Sequence, residues 1–194
     1  MLYNCGVASC CSSCLSYKIS NGFECGWCDR PAGACTYIIG ECEVAPIADE
    51  SGCPPPIIDD FFPKSGPVEG GTIITITGRD LGVTYDDFTS NNIVVGDDPC
   101  MPIEDNFIPG KQIRCTTVNG NSLGINLINI TLPSGAAVSN DGFRIVIPEI
   151  NRVDPILGPA AGGTQLTVWG SNLNIGNKVN TRLQISNGTN CAIR

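Results

Sequence analysis

Residues 73–77, IITIT, alternate so that Ile74 and Ile76 fall on one side of an extended strand and Thr75 and Thr77 on the other. The same alternation returns at Leu166 and Val168, inside a longer repeat. Residues 62–82, FPKSGPVEGGTIITITGRDLG, recur at 154–174 as DPILGPAAGGTQLTVWGSNLN, an offset of 92 with nine of 21 positions identical. A Gly-Pro turn, a Gly-Gly pair suited to positive φ, a strand and a closing Gly make one structural sentence, written twice. Further alternating segments follow the first copy: residues 92–95, 112–117, 125–132 and 143–147. Short strands punctuated by Gly, Pro and Asn, with no convincing helix among them, predict a β-sandwich of about ninety residues. Cys100 and Cys115 would tie two neighbouring segments of it. The second copy has about half the expected length, so its strands are expected to lack partners.

The first fifty residues follow a different rule. Nine of the 12 cysteines lie before residue 54, and the apolar residues available there, Leu15, Ile19, Phe23, Trp27, Tyr37, Ile38 and Ile39, make a thin core. So small a segment needs staples. CSSCLSYKISNGFECGWC, residues 11–28, holds two Cys-x-x-Cys pairs at a spacing that suits a zinc ribbon. One zinc ion would leave Cys5, Cys10, Cys35, Cys42 and Cys53 unused, whereas four disulfides use all but one, and the count favours disulfides. CPPPII at 53–58 and PEINRVDP at 148–155 read as short, semi-rigid connectors.

Charge narrows the function. Eleven Lys and Arg face 19 Asp and Glu, for a net charge of -8, and there is no His. That balance argues against nucleic acid as a partner, and the missing imidazole removes His-dependent catalysis and zinc–His sites. The carboxylate pairs Asp59-Asp60, Asp86-Asp87, Asp97-Asp98 and Glu104-Asp105 lack the ligand spacing of a calcium loop and read as solvated loop charges. Sequons at Asn129 and Asn187 agree with a secreted chain. Asn129, if glycosylated, must face solvent, which turns Ile128, Ile130 and Leu132 inward. Trp27 reads as core. Trp169 falls on the outward strand face, a candidate contact between modules. Neither a signal peptide nor a membrane span is visible, and an internal piece of a longer secreted or membrane-anchored chain is expected.

The cysteine frame from Cys5 to Cys53, centred on CGWC, resembles the PSI domain, and both glycine-rich repeats resemble the opening strands of IPT (TIG) domains. Their succession, together with LGVTYDDFTSNNIVVGDDPCMPIEDNFIPGKQIRCTT, is similar to the ectodomain stalk of plexins, the semaphorin receptors. The resemblance implies a mainly β chain. A disulfide-rich PSI knot would occupy residues 4–53, an immunoglobulin-like IPT sandwich 55–147, and the N-terminal part of a second IPT domain 148–194. It implies bridges Cys5–Cys25, Cys11–Cys53, Cys14–Cys35 and Cys28–Cys42 beside Cys100–Cys115. Cys10 has no place in this frame, and Cys191 is expected to pair with a cysteine beyond the chain. The implied function is an extracellular spacer on the outer side of the plasma membrane, in a type I membrane protein. It would have no catalysis and no cofactor, and its partners would be neighbouring modules of the same receptor. Semaphorin would be met only through a sema domain, and the membrane only through a transmembrane segment, both outside this chain. The alternatives are a segment of a hepatocyte-growth-factor-receptor type of tyrosine kinase, a Rel-type sandwich, which the acidic balance opposes, and an acidic secreted enzyme or calcium module.

Overall fold

The computed structural model describes residues 5–21, 24–29, 33–37, 42, 45–120, 122–176, 183–184 and 190–191. The N-terminal knot begins with a 3-10 turn, Cys5–Val7, and a helix α1, Cys11–Asn21. Cys11, Cys14 and Leu15, at the i, i+3, i+4 spacing of one helical face, are all buried. A hairpin of β1 (Cys25–Cys28) and β2 (Ala34–Tyr37) follows, then a 3-10 turn at Glu50–Gly52. Trp27 lies in the knot's core, with Gly33 so close to its ring that a side chain there would collide.

Disulfides join Cys5 to Cys25, Cys11 to Cys53, Cys14 to Cys35 and Cys28 to Cys42, closing loops with sequence separations of 20, 42, 21 and 14. In the chain-entropy account the Cys11–Cys53 bridge contributes about 4 kcal/mol and the Cys28–Cys42 bridge about 3. Two of the core residues expected from the sequence are not core: Ile19 and Tyr37 are exposed. Once cystine sulfur fills the interior, little room remains for side chains on the outer helical and hairpin faces. Phe23, Ile38 and Ile39 lie outside the described residues.

The sandwich is built from β3 (Ile57–Phe62), β4 (Ser65–Pro67), β5 (Ile73–Leu81), β6 (Ile93–Val95), β7 (Asp98–Ile108), β8 (Gly110–Thr117), β9 (Gly124–Leu132) and β10 (Gly135–Val146). Their hydrogen-bonded order is β3-β5-β8-β7-β6-β9-β10-β4. β7 is the corner. Its first residues pair with β6 and the rest with β8, so one strand passes from one layer to the other. Ile74, Ile76, Ile113, Ile128, Ile130 and Phe143 fill the space between layers, together with the Cys100–Cys115 bridge. The β-sandwich expected from the alternation is therefore present, in the mainly β, immunoglobulin-like form that the resemblance implied.

The two connectors expected from the sequence run into strands. Ile57 and Ile58 of CPPPII open β3, and most of PEINRVDP forms β11 (Glu149–Asp154), which pairs antiparallel with β12 (Thr167–Ser171). The prolines sit at the ends of these strands, where the missing N–H costs no ladder bond. Two short strands close the described chain, β13 (Leu183–Gln184) and β14 (Asn190–Cys191), paired with each other.

Candidate functional site at the module junctions

Among the described residues, the expected site residues do not gather into one catalytic cleft. Asp59 pairs with Arg79, Asp60 with Lys64, and Asp105 with Arg114, while Asp87 accepts backbone N–H bonds from Val83 (2.7 Å) and Thr84 (2.6 Å). Asp59, Asp60 and Asp105 are thus held in separate surface ion pairs and Asp87 in a turn. All four sulfurs of the Cys-x-x-Cys doublets are bonded to partners outside their own doublet, so no thiolate remains there for a metal ion. The Asp80 carboxylate lies near Cys11 and Cys53, but those sulfurs are bonded to each other. Asn129 stands on the outer face of β9, half-buried, and Asn187 lies outside the described residues. Trp169, 45 % exposed, has the Arg152 guanidinium 4.9 Å from its ring centre.

What the structure does bring together is a junction. The first turn of a helix leaves four N–H groups without helical partners. At α1 the missing acceptor comes from another module: the Ser12 N–H donates to Asp80 Oδ1 at 2.9 Å. Asp80 reaches that position from the end of β5 with φ 54, the left-handed region that Asp tolerates better than most residues. One residue on, Ser13 Oγ donates to the Pro109 carbonyl at 2.8 Å. The free thiol of Cys10 is buried beside Ser13 Oγ (3.0 Å) and the Gly110 carbonyl (3.6 Å). Gly110, at φ 68, lets the helix approach so closely that an added Cβ would strike Cys10 and Ser13. Val83 of the sandwich packs inside the knot's own hydrophobic cluster. Knot and sandwich therefore share a core instead of hanging on a linker.

Burial shapes the junction's electrostatics. Removal from water pushes the Asp80 carboxyl above its ordinary value, against the Ser12 N–H bond and the charge of Arg79. Removal from water, with the Asp87 charge added, pushes Glu50 up to about 7, and Glu50 Oε1 is buried without a hydrogen-bond partner. At the far end of the sandwich a second junction is lighter. The Gly176 N–H donates to the Ser65 carbonyl, and Asn172 Nδ2 donates to the Ile147 carbonyl, each at 3.0 Å.

Sequence reasoning missed Asp80, Val83 and Gly110. The signal that would have found the first is the repeat itself, because Asp80 aligns with Asn172, a residue of the other type that tolerates the left-handed region.

Comparison with known proteins agrees with this architecture. The IPT/TIG domain family model matches residues 56–145 and again 148–194. Over 180 residues the chain is 37% identical to Plexin-2 of Caenorhabditis briggsae, covering 92% of this chain and 9% of that protein. Over 189 residues it is 34% identical to Plexin-A4 of Homo sapiens, covering 92% of this chain and 10% of the other. The chain thus spans about a tenth of the length of these relatives. A solved structure of the Plexin A4 full extracellular region superposes with a TM-score of 0.70 at 33% identity, over 88% of this chain and 15% of that one. The chain belongs to the IPT/TIG domain family, in the form found in plexin ectodomains.

Proposed function

We propose that this segment is an extracellular spacer in a plexin-type receptor, which fixes the direction in which a ligand-binding domain is held relative to the membrane. The observation that carries this reading is the shared core at the first junction, where Val83 enters the knot and Asp80 caps α1. A flexible tether would need neither. A buried cap and an inserted apolar residue lower the freedom of two modules to swing, which is the property a spacer requires. The extracellular setting is supported by five disulfides in 194 residues. In this reading semaphorin is bound elsewhere in the receptor, and the segment contributes geometry without catalysis.

The test loosens the junction in the whole receptor through Val83→Asp together with Asp80→Ala. Small-angle scattering of the ectodomain should show a broader distribution of maximum dimensions. Ligand affinity should hold while ligand-induced signalling falls. Unchanged signalling with a visibly loosened ectodomain would refute the spacer role.

A further inference from the structure

The outer face of the β6–β9–β10 layer is more apolar than a solvated sheet face needs to be. Along β9 the outward residues are Ile125, Leu127, Asn129 and Thr131, while Ile128 and Ile130 are buried. Asn129 is flanked in register by Val94 of β6 and Val138 of β10. Such directly opposed residues have side chains about 5 Å apart. Leu127 follows two positions along the same face, and Ile125 beyond it is 77% exposed. One amide therefore stands in a row of four aliphatic side chains. Asn129 opens the sequon Asn129-Ile130-Thr131, and the strand alternation places Asn129 and Thr131 on the same outer face.

We infer that Asn129 carries an N-linked glycan whose first N-acetylglucosamine lies over Val94, Leu127 and Val138 and covers this row. The bond formed joins Asn129 Nδ2 to C1 of that sugar. The bond broken joins the same C1 to a pyrophosphate oxygen of a lipid-linked oligosaccharide donor, and the lipid pyrophosphate leaves with the electron pair while the amide nitrogen gives up one proton. An acetamido methyl and the C–H face of a pyranose are apolar surfaces, and both fit a row of valine and leucine. The outer sugars present hydroxyls to water. Burial of the row gains free energy, and the sheet loses an exposed patch of the kind that promotes association. The occupant is a glycan and not a protein because its anchoring atom lies in the middle of the row, where a second polypeptide would have to bury the unpaired Asn129 amide.

This inference rests on the extracellular placement proposed above, and the experiment separates the two. The segment is secreted from a eukaryotic host and Asn129 occupancy is read by mass spectrometry. Three forms are compared: full glycan, glycan trimmed enzymatically to one sugar, and glycan-free protein from Thr131→Ala. Enzymatic release from the folded protein supplies the glycan-free form if that variant is not secreted. The first two forms should bind an apolar-surface dye equally, and the glycan-free form about threefold more. Adding Leu127→Ser and Val138→Ser should return it to the lower level. Secreted, disulfide-bonded protein with Asn129 unmodified overturns the inference, as does unchanged dye binding after glycan loss, or a glycosylated protein that dimerises through this face. A chain retained with reduced cysteines would instead refute the extracellular reading.

Discussion

The two copies of the glycine-rich motif have nearly the same backbone and opposite surroundings. Gly70 and Gly71 have φ of 79 and 76, and Gly162 and Gly163 have φ of 82 and 85. Asp80 and Asn172 share the left-handed corner at 54 and 56. An added Cβ at Gly78 would collide with the Ile57 carbonyl oxygen, and one at Gly170 with that of Glu149, again 92 residues on. Yet Ile58 is 4% exposed where Ile150 is 54%, and Leu81 is fully buried where Leu173 is 36% exposed. Local sequence therefore sets the shape of the motif, while coverage comes from distant strands. β5 pairs with both β3 and β8, whereas β12 pairs with β11 alone among the described residues.

The largest expected contrast is in the core. Ile74→Ala removes a fully buried side chain and should destabilise the sandwich by about 3 to 4 kcal/mol. Its counterpart Leu166→Ala, only half-buried, should cost less than about 1 kcal/mol. Chemical denaturation of both variants measures this. Equal losses would mean that the second copy is covered as well as the first, and the contrast drawn from burial would fail.

A somewhat smaller effect is expected from the bridge between the neighbouring strands β7 and β8 of the first copy. Cys100–Cys115 has a sequence separation of 15, and replacing both residues with Ala should cost about 3 kcal/mol. Cys191, in the β13–β14 pair of the second copy, is a free thiol. Cys191→Ser should then leave the midpoint of unfolding unchanged within about 0.5 kcal/mol. A large loss there would reveal a partner for this sulfur.

Hydrogen exchange sharpens the comparison without mutation. Amides in 73–77 should be protected at least about a hundredfold more than those in 165–169, because opening the former disrupts a covered sheet. Similar protection would place both copies in one cooperative unit.

The part of this architecture that was legible in the sequence is the part governed by short-range alternation. IITIT, INLINITL and QIRCTT each bury every second residue against one core, and the pattern declares it. β7 did not declare itself: DPCMPIEDNFI carries two prolines and three acidic residues, and it becomes a strand because β6 and β8 supply ladders from either layer. α1 was equally hidden. CSSCLSYKISN has a weak apolar stripe of two cysteines and one leucine, whose burial depends on bridges to Cys53 and Cys35. The junction was illegible for the same reason, since Asp80 meets Ser12 across 68 residues and no local pattern encodes that meeting.

The mildest test converts the corner of the first copy into that of the second. Asp80→Asn keeps a side-chain oxygen for the α1 N–H groups, and Asn caps helices about as well as Asp, so the change at neutral pH should stay within about 1 kcal/mol. Its effect on pH dependence should be clearer. Because burial raises the carboxyl of Asp80 in the folded protein, the folded state binds more protons than the unfolded state just above pH 3.8. Stability from this group therefore falls as pH rises through that region, and the Asn variant should lack that fall. Glu50 acts in the same direction over a higher window, from its ordinary 4.5 up to about 7. Glu50→Gln should flatten that part of the profile. Urea unfolding between pH 3.5 and 8 resolves the two windows. If Asp80→Asn leaves the slope above pH 3.8 untouched, the carboxylate is solvated and does not sit between knot and sandwich.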